Sequence, residues 1–223
     1  MKTVIKVFAA GAMAALLGAC ASQAPLESPD GLTLVPDTKF GLAYVRPGAD
    51  IKSYTSFGLT DCDVAFRKNW LRDQNQSRID LSNRVTQEDV DKIRAALSQE
   101  CGSYFRKALQ EAPAYNLVEE FNKGEDVLII QPSIVNLDVN APDTMRTGIS
   151  RTYTTSTGEM TLILELIDAT TGEVLARVTD RSRGMDNGTL QWTNSVTNKA
   201  EADRILRRWA KYLRDSLDEA RSM

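Results

Sequence analysis

Two stretches of the chain carry apolar residues at the three- and four-residue spacing that is typical of an amphipathic helix. The first follows Thr86, a candidate N-cap, and ends before Pro113. The second covers about residues 198–221. The apolar stripes comprise Val90, Ile93, Leu97, Cys101, Tyr104 and Ala108 in the first, and Ile205, Trp209, Tyr212, Leu213 and Leu217 in the second. We therefore predict two long helices, with Trp209 and Leu213 buried against a sheet.

Between the two helices the pattern changes to that of strands. Residues 126–139 are rich in β-branched residues, and Pro132 within them predicts a bulge or an edge position, where no amide is needed. Residues 158–183 form two apolar runs around Gly172, which predicts a hairpin because glycine tolerates the left-handed backbone of a short turn. The first run places Met160, Leu162, Leu164 and Leu166 on one face and Ile163 and Ile167 on the other. It is therefore predicted to be a central strand.

Shorter runs near the start of the chain complete the predicted elements. Residues 40–45 and 53–59 predict two strands with a turn at Pro47 and Gly48 between them. The polar segment 67–84 predicts a loop that leads into the first helix. The order is thus strand, strand, helix, further strands with a hairpin, and helix. It predicts an α+β fold, a two-layer sandwich in which a mainly antiparallel sheet carries two long helices on one face.

The N-terminus has the pattern of a bacterial lipoprotein signal. Lys2 and Lys6 precede an apolar stretch, residues 7–17, that is too short to cross a bilayer as a permanent helix. The stretch ends in Leu-Gly-Ala-Cys20, which resembles a lipobox. Three acyl chains on Cys20 would anchor the mature chain to a membrane, because two chains already bind stably. The alternatives are an uncleaved apolar terminus and an ordinary secretory signal with a chance cysteine.

The signal divides the chain into three predicted parts. Residues 1–19 are the signal peptide, residues 20–38 are the lipidated Cys20 followed by a flexible tether, and residues 39–223 are a single α+β domain. The tether would hold the domain about 25 Å from the membrane. Position 21 is Ala rather than Asp, which by resemblance to the sorting rule of enteric bacteria favours the outer membrane. The expected location is the periplasmic face of that membrane.

Composition excludes several functional classes. The 223 residues include 27 Lys and Arg against 30 Asp and Glu, a net charge of −3, so the basic excess of a nucleic-acid-binding protein is missing. The chain has no histidine, which removes triads and metal sites built on imidazole. Gly-x-Gly-x-x-Gly, Walker-type and Cys-x-x-Cys motifs are also missing. No cofactor and no catalytic residue is therefore predicted.

Two cysteines remain for the folded part once Cys20 is acylated. Cys62 follows the second predicted strand, and Cys101 lies on the apolar stripe of the first helix. An even number of cysteines in an oxidising compartment predicts a disulfide between Cys62 and Cys101. The alternative is a pair of buried thiols that behave as small apolar side chains.

Charged residues offer two weaker candidate sites. Asp61 and Asp63 flank Cys62 and could bind a hard cation, but no third carboxylate lies at loop spacing, so a surface pair beside a turn is favoured. The last helix is dense in basic residues, which could contact phospholipid head groups or an acidic partner. Neighbouring acids favour a solvated face instead. These basic residues are Arg204, Arg207, Arg208, Lys211 and Arg214.

Three segments together resemble a known family. They are VLIIQPSIVNLDVNAP, the hairpin ELIDATTGEVLARVTDR and the terminal helix RRWAKYLRDSLDEA, and they follow an N-terminal lipobox. In this combination the chain resembles the small proteobacterial lipoproteins known as domain of unknown function 3313. The resemblance implies an α+β domain and a location in the envelope. It supplies no catalytic residues to carry over.

Three functional hypotheses follow. The first is a non-catalytic binding or assembly module of the cell envelope, held to the membrane through lipidated Cys20 and acting on a protein partner of the envelope. The second is an auxiliary of a transport system that binds lipid or another apolar ligand, which needs a groove between the helices and the sheet. The third is a carboxylate-based hydrolase, whose structural signature would be a pocket with two or three converging acids.

Overall fold

The computed structural model describes residues 24–76, 78, 84–121, 124–139, 153–154, 158–184, 191–192 and 195–222. The predicted signal peptide and Cys20 lie outside these ranges. Within them the helices are α1 (Trp70–Gln76), α2 (Gln87–Gln110) and α3 (Ser195–Ser222). The strands are β1 (Thr33–Leu34), β2 (Leu42–Val45), β3 (Ser56–Leu59), β4 (Asp63–Phe66), β5 (Leu117–Val118), β6 (Val127–Val139), β7 (Tyr153–Thr154), β8 (Gly158–Asp168), β9 (Val174–Arg183) and β10 (Gln191–Trp192).

One open sheet dominates the described part of the chain. Its strand order is β1-β2-β9-β8-β6-β3-β5, and β4 pairs with β6 beyond the end of β3. The pairs from β1 to β6 are antiparallel, whereas β3 and β4 run parallel to β6 and β5 runs parallel to β3. A separate antiparallel pair joins β7 and β10. The predicted mainly antiparallel sheet is confirmed.

The hairpin of β8 and β9 forms the centre of the sheet. Gly172 has a φ of 78°, a left-handed conformation that glycine adopts without strain. β8 lies between β6 and β9, so its prediction as a central strand is confirmed. Its inward side chains, Leu162 and Leu164 among them, are buried, while Ile163 on the opposite face is half-buried.

Pro132 occupies a position that the sequence did not suggest. It lies in the middle of β6, opposite Leu164 of β8, and the irregularity of this strand comes later, between Val135 and Asp138. On the other side of β6 the partner changes from β3 to β4: pairing with β3 ends at Ile130 and pairing with β4 begins at Ser133. The missing amide of Pro132 thus coincides with the gap between two neighbouring strands, so a central strand tolerates it.

Both long helices pack on the same face of the sheet, as predicted. α2 begins with a capping box in which the Thr86 hydroxyl accepts from the Asp89 amide and the Asp89 carboxylate accepts from the Thr86 amide. α3 buries Trp209 and Leu213, which confirms their predicted burial. The shared core is formed by inward residues of both helices and the sheet, including Cys101, Phe105, Leu109, Phe57, Leu128, Ile130, Ile134, Leu162, Leu164, Leu206 and Trp209.

The opposite face of the sheet carries cross-strand charge pairs. Arg177 of β9 donates to Glu165 of β8, and Arg181 donates to Glu159. Polar side chains at alternate positions are typical of a sheet face that is not covered by helices. This alternation explains why the two faces of the hairpin differ in burial.

The chain before residue 39 differs from the predicted tether. Leu32 is fully buried, and β1 pairs with the edge strand β2. Asp30 binds Arg177 of β9 through two hydrogen bonds, of 3.1 and 2.8 Å. The N-terminal segment, residues 25–34, is therefore folded onto the sheet. Every buried apolar residue that the structure describes lies between Leu32 and Leu217, so the chain from residue 21 onward carries the whole described core.

Candidate functional site: a cavity between the helices and the sheet

A cavity of about 380 Å³ opens between α2, the first turns of α3 and the adjoining ends of β6 and β8. This volume lies near the lower end of the range of ligand pockets. The described lining residues are Ile93, Ala96, Leu97, Glu100, Leu137, Val139, Gly158, Glu159, Met160, Gly184, Asn198, Lys199, Glu201, Ala202, Asp203 and Ile205.

Small residues on the facing elements create this space. Ala96 on α2 and Ala202 on α3 are short side chains where two helices approach, and Gly184 follows β9. Gly158 at the start of β8 has a φ of 126°, and a Cβ there would collide with the Asp138 carbonyl and Val139. A larger side chain at Gly158 would therefore force the end of β8 away from β6. The inner wall of the cavity is apolar and buried, with Leu97, Leu137, Met160 and Ile205.

A lysine connects the two helices at the rim of the cavity. The Lys199 ammonium of α3 lies 2.5 Å from the Glu100 carboxylate of α2 and 3.2 Å from the Asp203 carboxylate, one turn further along α3. The hydrogen bond to Glu100 raises the pKa of Lys199. The Lys199 side chain is nevertheless 57% exposed. The rim is thus charged and open to solvent, while the inner wall is apolar.

The other two lining carboxylates bind arginines. Glu159 accepts from both Arg181 and Arg183, each at 2.7 Å, and the hydrogen bond from Arg181 is the main cause that lowers the pKa of Glu159. Glu201 binds the Arg204 guanidinium one turn along α3. The arginines stabilise the charged form of these carboxylates, because an adjacent cation favours ionisation.

Acids do converge on the cavity, so the hydrolase hypothesis needs a chemical answer. A glycosidase requires one carboxyl that is held protonated as a general acid. All four lining carboxylates, Glu100, Glu159, Glu201 and Asp203, are ion-paired with Lys or Arg. The described geometry therefore supplies anchoring charges and offers no group suited to donate a proton.

The described residues contain no group of three His, Cys, Asp or Glu side chains that could hold a metal ion. Asp61 and Asp63 are both exposed, on either side of the buried Cys62. Their arrangement agrees with the surface pair that the sequence favoured.

Cys62 and Cys101 form the predicted disulfide, with an S–S distance of 2.01 Å and a Cα–Cα distance of 6.1 Å. Cys62 precedes β4, and Cys101 lies on α2 one turn after Leu97, which lines the cavity. The Ser98 hydroxyl donates to the Cys62 carbonyl at 2.6 Å and adds a second link at the same place. These two links hold the α2 wall of the cavity against the sheet.

Most of the basic residues of α3 lie on a solvated face, as favoured from the sequence. Lys211 pairs with Asp215, and Arg204 pairs with Glu201. Arg214 is different, since it is buried and binds backbone carbonyls at the end of α2. Sequence analysis missed this role, because the spacing of Arg214 from Asp218 indicated only a surface pair.

The cavity residues were not identified from the sequence either. A groove between helices and sheet was stated as a requirement of the second hypothesis, without residues. The one available signal was the presence of alanines beside the apolar stripes, Ala96 on α2 and Ala202 on α3. Such alanines have no meaning until it is known that the two helix faces meet.

Comparison with known proteins shows the family but no activity. The family model described as "Protein of unknown function (DUF3313)" matches residues 26–213. Comparison with curated proteins returned no match.

Solved structures with a similar fold include two secreted or surface-related proteins by their titles. One is the PelC dodecamer from Paraburkholderia phytofirmans, 10% identical, with 72% of this chain and 91% of that chain covered and a TM-score of 0.34. The other is described as a homologue of neuraminyllactose-binding hemagglutinin from Helicobacter pylori, 7% identical, with coverage of 76% and 88% and a TM-score of 0.38. Both scores are low, so neither similarity bears on the function of this chain.

Proposed function

We propose that this chain, which belongs to the DUF3313 family of proteins of unknown function, is a non-catalytic binding module that holds an apolar ligand in the cavity between α2, α3 and the sheet. The observation that carries the proposal is the cavity itself. Its inner wall consists of buried apolar side chains, and charged groups are confined to its rim. This distribution is typical of sites that bind apolar molecules with a polar end.

The proposal includes attachment to the outer membrane through lipidated Cys20. The lipobox and the Ala at position 21 support it. The folded N-terminal segment then brings the domain closer to the bilayer than a tether of residues 21–38 would. The Pro25 carbonyl already accepts a hydrogen bond from Tyr44, at 3.0 Å. Only residues 21–24 remain between lipid and domain, about 14 Å at full extension.

A ligand drawn from a membrane suits this arrangement. A binding module that sits next to a bilayer meets lipids at high local concentration, because the anchor restricts it to a thin layer. Among the described residues, no helix has the length and apolar character needed to cross a membrane. The lipid anchor of the proposal would therefore be what keeps the described domain at the surface.

Filling the cavity tests the proposal. In the chain from residue 21 onward, Ala96→Trp and Ala202→Trp place an indole in the space that the ligand would occupy. Binding is measured by the fluorescence of N-phenylnaphthylamine, a neutral apolar probe whose emission rises on leaving water. We expect saturable binding by the unsubstituted chain and a loss of affinity of about tenfold or more in both variants.

Matched controls come from the same two helices. Ala95 on α2 and Ala200 on α3 are exposed and do not line the cavity. Ala95→Trp and Ala200→Trp should bind the probe as the unsubstituted chain does. Equal binding by all four variants, or the lack of saturable binding by the unsubstituted chain, would show that the cavity is not a ligand site.

A further inference from the structure

We infer that the ligand of this cavity carries a positively charged amino head group on its apolar chain, an inference that rests on the proposed function. The ligand class is a lipid with a primary ammonium group. Its chain would lie along the apolar wall, and its ammonium would bind the carboxylates Glu100 and Asp203 at the rim.

The charges of the described lining residues favour a cation over an anion. Four carboxylates line the cavity, and Lys199 is the one cation among the described lining residues. Arg181, Arg183 and Arg204 lie outside the lining and neutralise Glu159 and Glu201. That leaves Glu100 and Asp203, two carboxylates that share the single ammonium of Lys199. This part of the rim carries an excess of one negative charge.

Lys199 itself shows where an ammonium group binds. Its Nζ lies within hydrogen-bond distance of both carboxylates, so the two oxygens already define a site for a primary ammonium. An ammonium has three donors, and these two acceptors use two of them. A ligand ammonium that enters the same position would find the same two acceptors.

The lysine can give way to such a ligand at low cost. Its side chain is 57% exposed and stands on a flexible four-carbon stem, so it can turn outward into water. Exposed ion pairs contribute little to stability, so exchanging one ammonium for another is nearly neutral in free energy. The apolar chain of the ligand then supplies the net gain, because it leaves water for the buried wall.

The head group of an anionic lipid meets the opposite situation. A carboxylate or phosphate at the same place would approach Glu100 and Asp203, and like charges at short distance repel. It would also compete with these two side chains for Lys199. Charge complementarity therefore selects the amine among lipids with the same chain.

Three probes with equal chains separate the head group from the chain. Decylamine, decanol and decanoate are titrated below their aggregation limits into the chain from residue 21 onward, by isothermal calorimetry. We expect decylamine to bind about three- to tenfold more tightly than decanol, and decanoate to bind most weakly.

Variants at the rim locate the preference. Glu100→Gln and Asp203→Asn should each reduce the preference for decylamine over decanol without weakening decanol. Lys199→Gln should strengthen decylamine, because it removes the competing ammonium. Glu219→Gln, an equal change of charge on an exposed residue roughly 24 Å further along α3, serves as the matched control and should leave the order unchanged.

The outcomes distinguish the inference from the proposed function. Equal binding of the three probes, or tightest binding of decanoate, overturns the amino head group while the cavity remains a ligand site. A preference for decylamine that survives both Glu100→Gln and Asp203→Asn also overturns the inference, because the amine is then recognised elsewhere. If none of the three probes binds, the proposed function fails with it.

Discussion

Arg214 shows how much a single side chain contributes to joining the two long helices. Its guanidinium donates to the carbonyls of Ala108, Glu111 and Pro113, at 3.2, 2.9 and 2.7 Å, and to the Asp218 carboxylate at 2.8 Å. The last carbonyls of a helix have no partner within the helix, and a cation near them is favourable. Arg214 of α3 therefore satisfies the C-terminal end of α2.

Replacing Arg214 should be far more costly than replacing other basic residues of α3. Arg214→Leu leaves buried carbonyls without a donor, and we expect the free energy of unfolding to fall by about 2–4 kcal/mol. Arg214→Lys should recover only part of it, because an ammonium lacks the planar fork that reaches several carbonyls. Urea unfolding followed by circular dichroism measures the change.

The exposed Arg207 provides the control for Arg214. It stacks over the Tyr104 ring at 5.8 Å, and Arg207→Lys should change the unfolding free energy by no more than about 0.5 kcal/mol. Similar losses at both positions would contradict the capping role of Arg214.

The disulfide is a second feature of the residue scale that can be tested directly. Its loop spans 39 residues, for which the chain-entropy model gives about 4 kcal/mol. We expect the double variant Cys62→Ala and Cys101→Ala to lose about 2–4 kcal/mol of unfolding free energy. Alkylation of unfolded, unreduced protein followed by mass spectrometry is the companion measurement. Two alkylated thiols in periplasm-derived protein would contradict the disulfide.

At the scale of elements, the N-terminal segment is the part whose behaviour composition did not reveal. It is rich in Pro, Ser and Asp, which is typical of a tether, yet it buries Leu32 and pairs β1 with β2. The Ser28 hydroxyl and carbonyl accept from the amides of Leu32 and Gly31 and hold its turn. The double hydrogen bond of Asp30 to Arg177 fixes that turn to the sheet.

The attachment of this segment should depend on pH at the acidic end. The hydrogen bonds from Arg177 are the main cause that lowers the pKa of Asp30 to about 2. Because the pKa is lower in the folded state, Asp30 contributes its full stabilisation above its unfolded pKa, near 4, and loses it as the pH falls toward 2. The difference in Tm between the unsubstituted chain and Asp30→Asn should therefore be constant from pH 7 to about 4 and shrink below it.

Asp37→Asn, which changes an exposed carboxylate just after β1, is the control and should leave Tm nearly unchanged throughout. A Tm difference for Asp30→Asn that does not shrink in acid would mean that the segment is held by Leu32 alone.

At the scale of the whole molecule, the proposed anchor and the cavity lie at different ends of the central strands. The N-terminal segment meets β9 at Arg177, whereas the cavity adjoins the far ends of β8 and β9, near Glu159 and Gly184. Six residues of extended strand between Arg177 and Arg183 span roughly 20 Å. A lipid bound in the cavity would thus be held apart from the acyl chains of the anchor.

The anchor is tested by replacing its cysteine. Cys20→Ser removes the site of acylation, so we expect the substituted protein to leave the membrane fraction, whereas the unsubstituted protein stays in it. Fractionation of cells followed by immunoblotting measures the partition. Retention of the Cys20→Ser protein in membranes would show that lipidation is not what attaches the protein.

Much of the fold follows from local pattern alone. The stripes of α2 and α3, the capping box at Thr86 and the turn at Gly172 each depend on residues close in sequence, so period and turn chemistry were sufficient to predict them. The pairing of Cys62 with Cys101 followed from parity and from the side of the helix on which Cys101 lies. These features are determined by the sequence because no distant partner has to be known.

Other features depend on which distant segments meet. Pro132 is tolerated because β3 ends and β4 begins beside it, and Leu32 is buried because β2 offers an edge for β1. Arg214 became a cap only when α3 crossed the end of α2, and the cavity arises where Ala96 faces the first turns of α3. Only the tertiary structure decided these, because burial, hydrogen bonding and empty space between elements are properties of pairs that lie far apart in sequence.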